Sequence, residues 1–290
     1  MVKVIKNRYL PIDIFISILV ATFFTFLIKK ILLEIDYQFN WNDLLKFFFY
    51  YDDRLKVGLI TKGVIYTVKI SIFVLILSFI TGLITGFIIS STKGVIKELF
   101  EVYVVVLRNI PPLIVMFIFY FFIGSSFTDV LNLETIFSNR LFASIITAIF
   151  TPEQIFIPFI SAAIGLAFYE SAYIAEIIRG GINGVEKGQI DAGIALGLNR
   201  VQVYLYIVIP QAIEKTLPSL IGQFVSIIKN TAIASIVAIP ELTFQAMEIL
   251  ASSRLILEIW ITIFLIYMVM NLFVSSVASR AELRIRRKYK

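Results

Sequence analysis

Apolar residues gather into six stretches along this chain, Leu10–Leu33, Val64–Ser91, Tyr103–Gly124, Ile155–Ile178, Glu214–Ile239 and Leu257–Ser279, with polar segments between them. Each reaches the roughly 20 residues an α-helix needs to cross a hydrocarbon core. Backbone in lipid must satisfy its own hydrogen bonds, so the expected fold class is all-α, a polytopic membrane helix bundle with about six transmembrane helices. The most informative polar segment is DAGIALGLNRVQVYLYIVIPQA, Asp191 to Ala212, between the fourth and fifth stretches. Connectors of that length are uncommon without a use.

Its residues predict a helical hairpin over 185–212. Val185 to Leu196 suits one helix, Gly197 supplies the positive φ that stops it, and Asn199 with Gln202 three residues on forms a capping box for a second. Val201, Tyr204, Leu205 and Val208 then make an apolar stripe expected against the underside of the membrane bundle, until Pro210 ends the helix. On the first helix Gln189 and Asp191 lie beside the small residues Ala192, Gly193 and Ala195. A small-residue face bearing one carboxylate permits close docking into a groove of another protein. Upstream, Gly180 and Gly181 are expected to end the fourth span and release the chain into the hairpin.

Two other connectors are long. Glu34 to Gly63 mixes charges with Trp41, Phe47, Phe48, Phe49, Tyr50 and Tyr51, which predicts a helix lying at the outer interface. Ser125 to Gln154 contains an apolar run, Leu141 to Phe150, too short to span, which leaves re-entrant and interfacial placements open. No internal repeat is visible, which weakens an inverted-repeat transporter reading.

Charge orients the bundle. Six crossings put both termini on one side, and with the termini inside, the inner segments carry fifteen Lys and Arg against six outside. The positive-inside bias therefore places the termini and the Asp191 hairpin in the cytoplasm. The basic start (Lys3, Lys6, Arg8) followed by an apolar stretch without a small-residue cleavage site is expected to be an uncleaved anchor. Three parts follow: residues 1–63 as an N-terminal helix with an extracytoplasmic interfacial segment, 64–279 as the transmembrane domain, and 280–290 as a basic cytoplasmic tail.

Composition narrows the function. The chain has 290 residues, of which 59% are hydrophobic, and neither cysteine nor histidine occurs. Disulfides, thiolate chemistry, the commonest zinc sites and the usual hydrolase base are excluded, so no catalytic or metal site is expected. The net charge of +6 resides at segment ends, where orientation in membrane lipid accounts for it without nucleic acid.

Ionisable groups inside spans are costly and mark pathways or pairs. Lys69 is placed to snorkel to the headgroups. Glu176 and Arg179, three residues apart, suit a structural ion pair. Arg108 and Asn109 precede Pro111 and Pro112, which break the backbone ladder of the third span. Arg108 is then either paired with a neighbouring carboxylate or a fork for a substrate carboxylate. Glu170 has no basic residue within one turn of its own helix. Either Arg108 or Lys229 neutralises it, or a cationic substrate group does. Lys229, Asn230 and Thr231 complete a candidate pocket, or else hydrogen-bond neighbouring helices.

The hairpin resembles the EAA loop of ABC-importer permeases, through Asp191-Ala192-Gly193, Gly197 and Ile207-Val208-Ile209-Pro210. RNIPPLIV from Arg108, AYIAEIIRGGI from Ala172, GQIDAGIALGL from Gly188, VIPQA from Val208 and KNTAIASIVAIPEL from Lys229 resemble the polar amino acid permeases of histidine, glutamine and arginine uptake, over roughly Val64 to Ser279. Asp191 and Gly193 stand where that family usually has Glu and Ala, and Ala232 where it often has Ser. The N-terminal helix and the segment to Gly63 go beyond the family's five-helix minimum. The resemblance implies a type I importer in a bacterial inner membrane. Its parts would be two permease subunits, identical or homologous, two cytoplasmic ABC ATPase subunits gripping the hairpins, and an extracytoplasmic amino-acid-binding protein. Transport would proceed by alternating access, with Gln189, Asp191, Ala192, Gly193 and Gly197 carrying the coupling. No G-x-x-x-x-G-K-[ST] motif occurs, so ATP and Mg would belong to the partner ATPase. The rival reading is a self-sufficient secondary transporter or channel, which leaves the hairpin without a use; an intramembrane enzyme lacks its H-E-x-x-H or G-x-S-x-G pattern.

Overall fold

In the computed structural model, the residues described are 11–35, 37, 39–124 and 137–288. The basic start with Lys3, Lys6 and Arg8, and residues 125–136 of the Ser125 connector, lie outside them. The chain divides into two compact units, Met1–Asn42 and Asp43–Lys290.

The first unit contains α1, Pro11–Ile35, whose Ser17, Thr22 and Thr25 hydroxyls each donate to the carbonyl one turn back, as polar side chains do in an apolar helix.

Between residues 39 and 58, the segment expected as an interfacial helix is helical only over Trp41–Leu44 and, as a 3-10 turn, Leu45–Phe47. Phe49–Asp52 (β1) and Arg54–Val57 (β2) pair antiparallel, Tyr51 opposite Leu55. The Phe-Tyr-Tyr run favours extended backbone, and Asp53 turns the chain at φ 55°, a conformation Asp tolerates. Strand propensity overrides the aromatic-cluster reading there.

Among the described residues up to Asn230, eight helices and two π-helical turns, Phe119–Ile123 and Tyr204–Val208, follow. They are α2 (Leu59–Ser91), α3 (Val95–Asn109), α4 (Pro112–Ile118), α5 (Arg140–Ile149), α6 (Glu153–Asn183), α7 (Lys187–Ala195), α8 (Arg200–Val203) and α9 (Ile209–Asn230). A 3-10 stretch, Thr231–Val237, leads to α10 (Leu242–Ser252) and α11 (Ile256–Lys288). Among the described residues four helical segments are long and apolar enough to span a membrane, Leu59–Ser91, Glu153–Asn183, Arg200–Val237 and Ile256–Arg284. The third predicted span is the one that changes. Val95–Asn109 and Pro112–Phe122 meet at a bend of 113°, because Pro111 and Pro112 lack the amide hydrogens that would carry the ladder across. Counting that bent pair as one brings the total to five, with α1 as a further apolar helix.

The central helix is α6, 67% of whose most apolar stretch is buried, against 33% for α2. Gly82 and Gly86 of α2 let the two backbones approach: a methyl on Gly82 would lie 2.7 Å from the Ile174 Cβ, and one on Gly86 would lie 2.6 Å from the Ala175 carbonyl oxygen. On the other side, the Tyr103 hydroxyl reaches Ser171 Oγ at 2.6 Å and ties α3 to α6. Lys69, expected to snorkel, instead donates to the Thr147 carbonyl at 2.9 Å. That carbonyl belongs to the last turn of α5, where the helix dipole favours a cation.

Buried Glu241 starts α10, accepting from the Thr243 and Phe244 amides at 2.9 and 2.8 Å and from the Tyr267 hydroxyl of α11 at 2.9 Å. Burial pushes this carboxyl up to about 7, against the opposing pull of those donors. A raised pKa means the folded state holds the proton more tightly than the unfolded chain. Stability from this group is therefore complete below the ordinary carboxylate range and is lost as pH rises through about 7. The thermal midpoint of the purified protein is expected to fall between about pH 5 and pH 8, and Glu241→Gln to flatten that slope. An equal slope in the variant would assign the pH dependence elsewhere.

Candidate functional site

The hairpin is built from its two turns. The glycine pair does not end the fourth span: α6 runs on to Asn183, and Gly181 lies inside it, so close to α9 that a methyl there would lie 2.1 Å from Thr216 Cγ2. Gly184 caps α6 instead, its carbonyl taken by the Lys215 ammonium. The first hairpin helix accordingly starts at Lys187 and not at Val185, which is buried beneath it.

At the hairpin tip Gly197 has φ 83°. The Leu198 amide donates to the Gly193 carbonyl at 3.1 Å and the Gly197 amide to the Ile194 carbonyl at 2.9 Å, the paired bonds of a Schellman stop. Asn199 and Gln202 then form the expected capping box, each donating one 2.9 Å bond to the other. Gly193 is buried, and a methyl there would lie 2.5 Å from Ile207 Cδ1, so glycine lets the two arms close.

The buried face of the second arm differs from the predicted stripe. Val203, Val208, Tyr204 and Ile207 pack with Val185, Ile182 and Ile190, whereas Val201 and Leu205 are exposed. Pro210 does not end the helix either. Tyr204–Val208 is a π-helical turn in which the Ile209 amide bonds back five residues to Tyr204, and this wider ring accommodates the proline. Arg200–Val237 is therefore one continuous helical segment of 38 residues.

What the hairpin presents outward is Asp191, Ala192, Ala195 and Gly197, flanked by Ile194 and by Leu196, which is 83% exposed. Gln189 is held from behind by the Gln211 side-chain amide of α9. Asp191 makes no ion pair or hydrogen bond among the described residues.

Inside the bundle the predicted polar residues separate into three groups. Glu176 receives Arg179, with Nε at 3.0 Å, as the expected ion pair, and also Arg108 at 3.5 Å. The Arg108 guanidinium lies over the Tyr173 ring, 5.4 Å from its centre. All three charged chains are about a third exposed, so this network positions α3 against α6 more than it stabilises them. Asn109 turns back to the Val105 carbonyl.

The second group surrounds Glu170, which is fully buried. Its partner is neither Arg108 nor Lys229: the Gln223 and Asn230 side-chain amides of α9 each donate one bond, the latter at 2.7 Å. Two neutral donors thus replace the expected counter-charge. Gln223 was missed by motif reading, although its position seven residues before Asn230 puts both on one helix face. Thr231 is buried, its hydroxyl bonded to the Ile228 carbonyl where α9 tightens into the 3-10 stretch.

Lys229 forms the third group. It points away from Glu170 into an open groove of about 810 Å³ between α9 and α11, lined also by Val225, Phe264, Tyr267 and Asn271. Adjacent residues on α9 therefore face two different helices.

The chain as a whole is matched by known proteins. The profile of the family described as binding-protein-dependent transport system inner membrane component covers residues 78–287. This chain belongs to that family. The probable glutamine ABC transporter permease protein GlnP of Bacillus subtilis (strain 168) is 31% identical over 225 residues, 77% of this chain and 91% of the relative. The glutamine transport system permease protein GlnP of Escherichia coli (strain K12) is 29% identical over 249 residues, 86% and 99% of the two chains. Among solved structures, an amino acid ABC transporter crystallised with histidines aligns with a TM-score of 0.62 at 30% identity, over 78% of this chain and 94% of that one. An inward-facing MetNI methionine ABC transporter shares the fold, with a TM-score of 0.57 at 15% identity over 78% and 96%. As an inner membrane component of this family, the chain is a transport subunit embedded in the membrane.

Proposed function

We propose that this permease subunit takes up a polar amino acid by alternating access, coupled through the hairpin to an ATPase subunit on the cytoplasmic side. The observation that carries the reading is the unbroken segment Arg200–Val237, which begins at the hairpin turn and ends beside Glu170. At about 1.5 Å per residue, Asn199 and Asn230 lie roughly 45 Å apart along it. A push on the tip by a closing ATPase dimer would move α9 as a lever, because Gln189–Gln211 and Lys215–Gly184 lock the hairpin to its base. Asn230 and Gln223 would carry that motion to Glu170.

The exposed Asp191, Ile194 and Leu196 suit a groove with an apolar floor and a basic rim on the ATPase. ATP and Mg belong to that subunit. A second permease, identical or homologous, and an extracytoplasmic amino-acid-binding protein complete the importer, and the Lys and Arg distribution supports cytoplasmic termini. Of the intramembrane candidates, Glu170 with Asn230 faces the interior, Lys229 the groove, Thr231 the bend, and Arg108 with Asn109 the rim by Glu176.

The test is affinity purification of the tagged chain from its native membrane, followed by uptake of labelled glutamine, histidine, arginine and glutamate into proteoliposomes. Co-purification of an ATPase and ATP-dependent uptake of one of them are expected. A chain that transports alone, driven by an ion gradient, would instead be a secondary transporter.

A further inference from the structure

Four cations that the sequence sets in or beside the spans have partners. Lys69 bonds Thr147, Arg108 and Arg179 share Glu176, and Lys215 bonds Gly184. Lys229 has none among the described residues. It lies 14 residues beyond Lys215 on the same helix, about 21 Å along the axis, inside the apolar segment Arg200–Val237 and exposed to the groove. An uncompensated ammonium within a span is costly and points to an anion that arrives from elsewhere.

The facing helix is prepared for a polar guest. Asn271 and Ser275 of α11 lie four residues apart and line the groove with Lys229, beside Tyr267, whose hydroxyl is held by Glu241. The Asn271 side-chain oxygen is buried and lacks a donor among the described residues. Gly222 and Ala232 keep the wall opposite low; a methyl on Gly222 would meet nothing within 4 Å. A carboxylate for Lys229 and an ammonium donor for Asn271 are the two ends of one amino acid.

We propose that the groove between α9 and α11 is a carboxylate station on the transport path, where Lys229 receives the α-carboxylate of the amino acid being carried. This rests on the amino-acid reading above and moves the carboxylate contact from Arg108, which Glu176 already holds. It also gives the Lys229–Asn230 pair a division of labour: one residue meets the solute, the next fastens α9 to Glu170.

The experiment uses the whole importer complex in nanodiscs without its binding protein, and the amino acid that the wild type takes up in proteoliposomes. Binding of the tritiated acid is measured with competition by the same amino acid and by its α-amide, which lacks the carboxylate. Wild type is expected to prefer acid over amide by tenfold or more, Lys229→Arg to keep that preference, and Lys229→Met and Lys229→Gln to bind both about equally. An acid-over-amide preference surviving in Lys229→Met or Lys229→Gln overturns the assignment, as does equal binding of acid and amide by wild type. Should neither neutral variant assemble, the decision falls to wild type, where equal binding of acid and amide still overturns it and a tenfold preference that Lys229→Arg keeps supports it. Loss of the second permease subunit from Lys229→Gln with the preference intact would make Lys229 an interface residue instead. A complex that takes up no amino acid overturns the underlying reading, which is a separate result.

Discussion

Gly197→Val is expected to lower uptake about tenfold or more, while Gly197→Asn stays within about threefold of wild type. The hairpin turn needs φ 83° at this position, and nothing lies within 4 Å of where a side chain would start, so the effect is one of backbone strain and not of space. A residue with a Cβ costs about 1–2 kcal/mol in that conformation, and β-branching adds to it. Each 1.4 kcal/mol is about a factor of ten in the population of the closed turn. Asn tolerates the same φ, which makes it the control. Once the turn opens, the Leu198–Gly193 bond is lost and Ile194, Leu196 and Asp191 no longer share one rigid tip. ATPase co-purification and initial uptake rates in proteoliposomes read the result. Wild-type values for both in the valine variant would remove the hairpin from coupling.

Glu170→Ala is expected to be the most damaging change inside the bundle. It empties a fully buried site and leaves the Gln223 and Asn230 amides without an acceptor. Each orphaned buried donor costs about 1–3 kcal/mol, and the cavity adds to that, so a large fall in folded yield follows. Glu170→Gln separates structure from charge. Its own amide needs only one of the two neighbours to turn over to restore both hydrogen bonds, so assembly and thermal midpoint are expected near wild type while uptake falls. Unchanged uptake in the Gln variant beside a poorly folded Ala variant would reduce Glu170 to a structural joint between α6 and α9.

The apolar stretches announced their own helices because length and composition alone set what can cross a membrane, and α2, α6 and α11 contain the stretches that predicted them. The hairpin turn was equally legible. Gly197, Asn199 and Gln202 act through bonds to residues three to five positions away, and such local chemistry is written in order along the chain. Breakers were less reliable guides. Pro111 and Pro112 did break their span, whereas Pro210 was absorbed by a π-helical turn and Gly181 by close packing on Thr216. A proline or glycine states what the backbone cannot or need not do; its neighbours decide whether the helix stops. The stretch Phe49–Val57 was misjudged for a related reason, since aromatics suit both a membrane interface and a β-hairpin.

By itself, then, the sequence determined four of its six long apolar elements as spans and a fifth as a broken pair, together with the hairpin's two arms and the turn between them. The tertiary structure decided who pairs with whom. Arg108 went to Glu176, Glu170 to two amides and Lys229 to an open groove, although all three were equally plausible partners along the chain. Charge pairing depends on which faces of distant helices meet, and that follows from close approaches such as Gly82 against Ile174, which no local signal records.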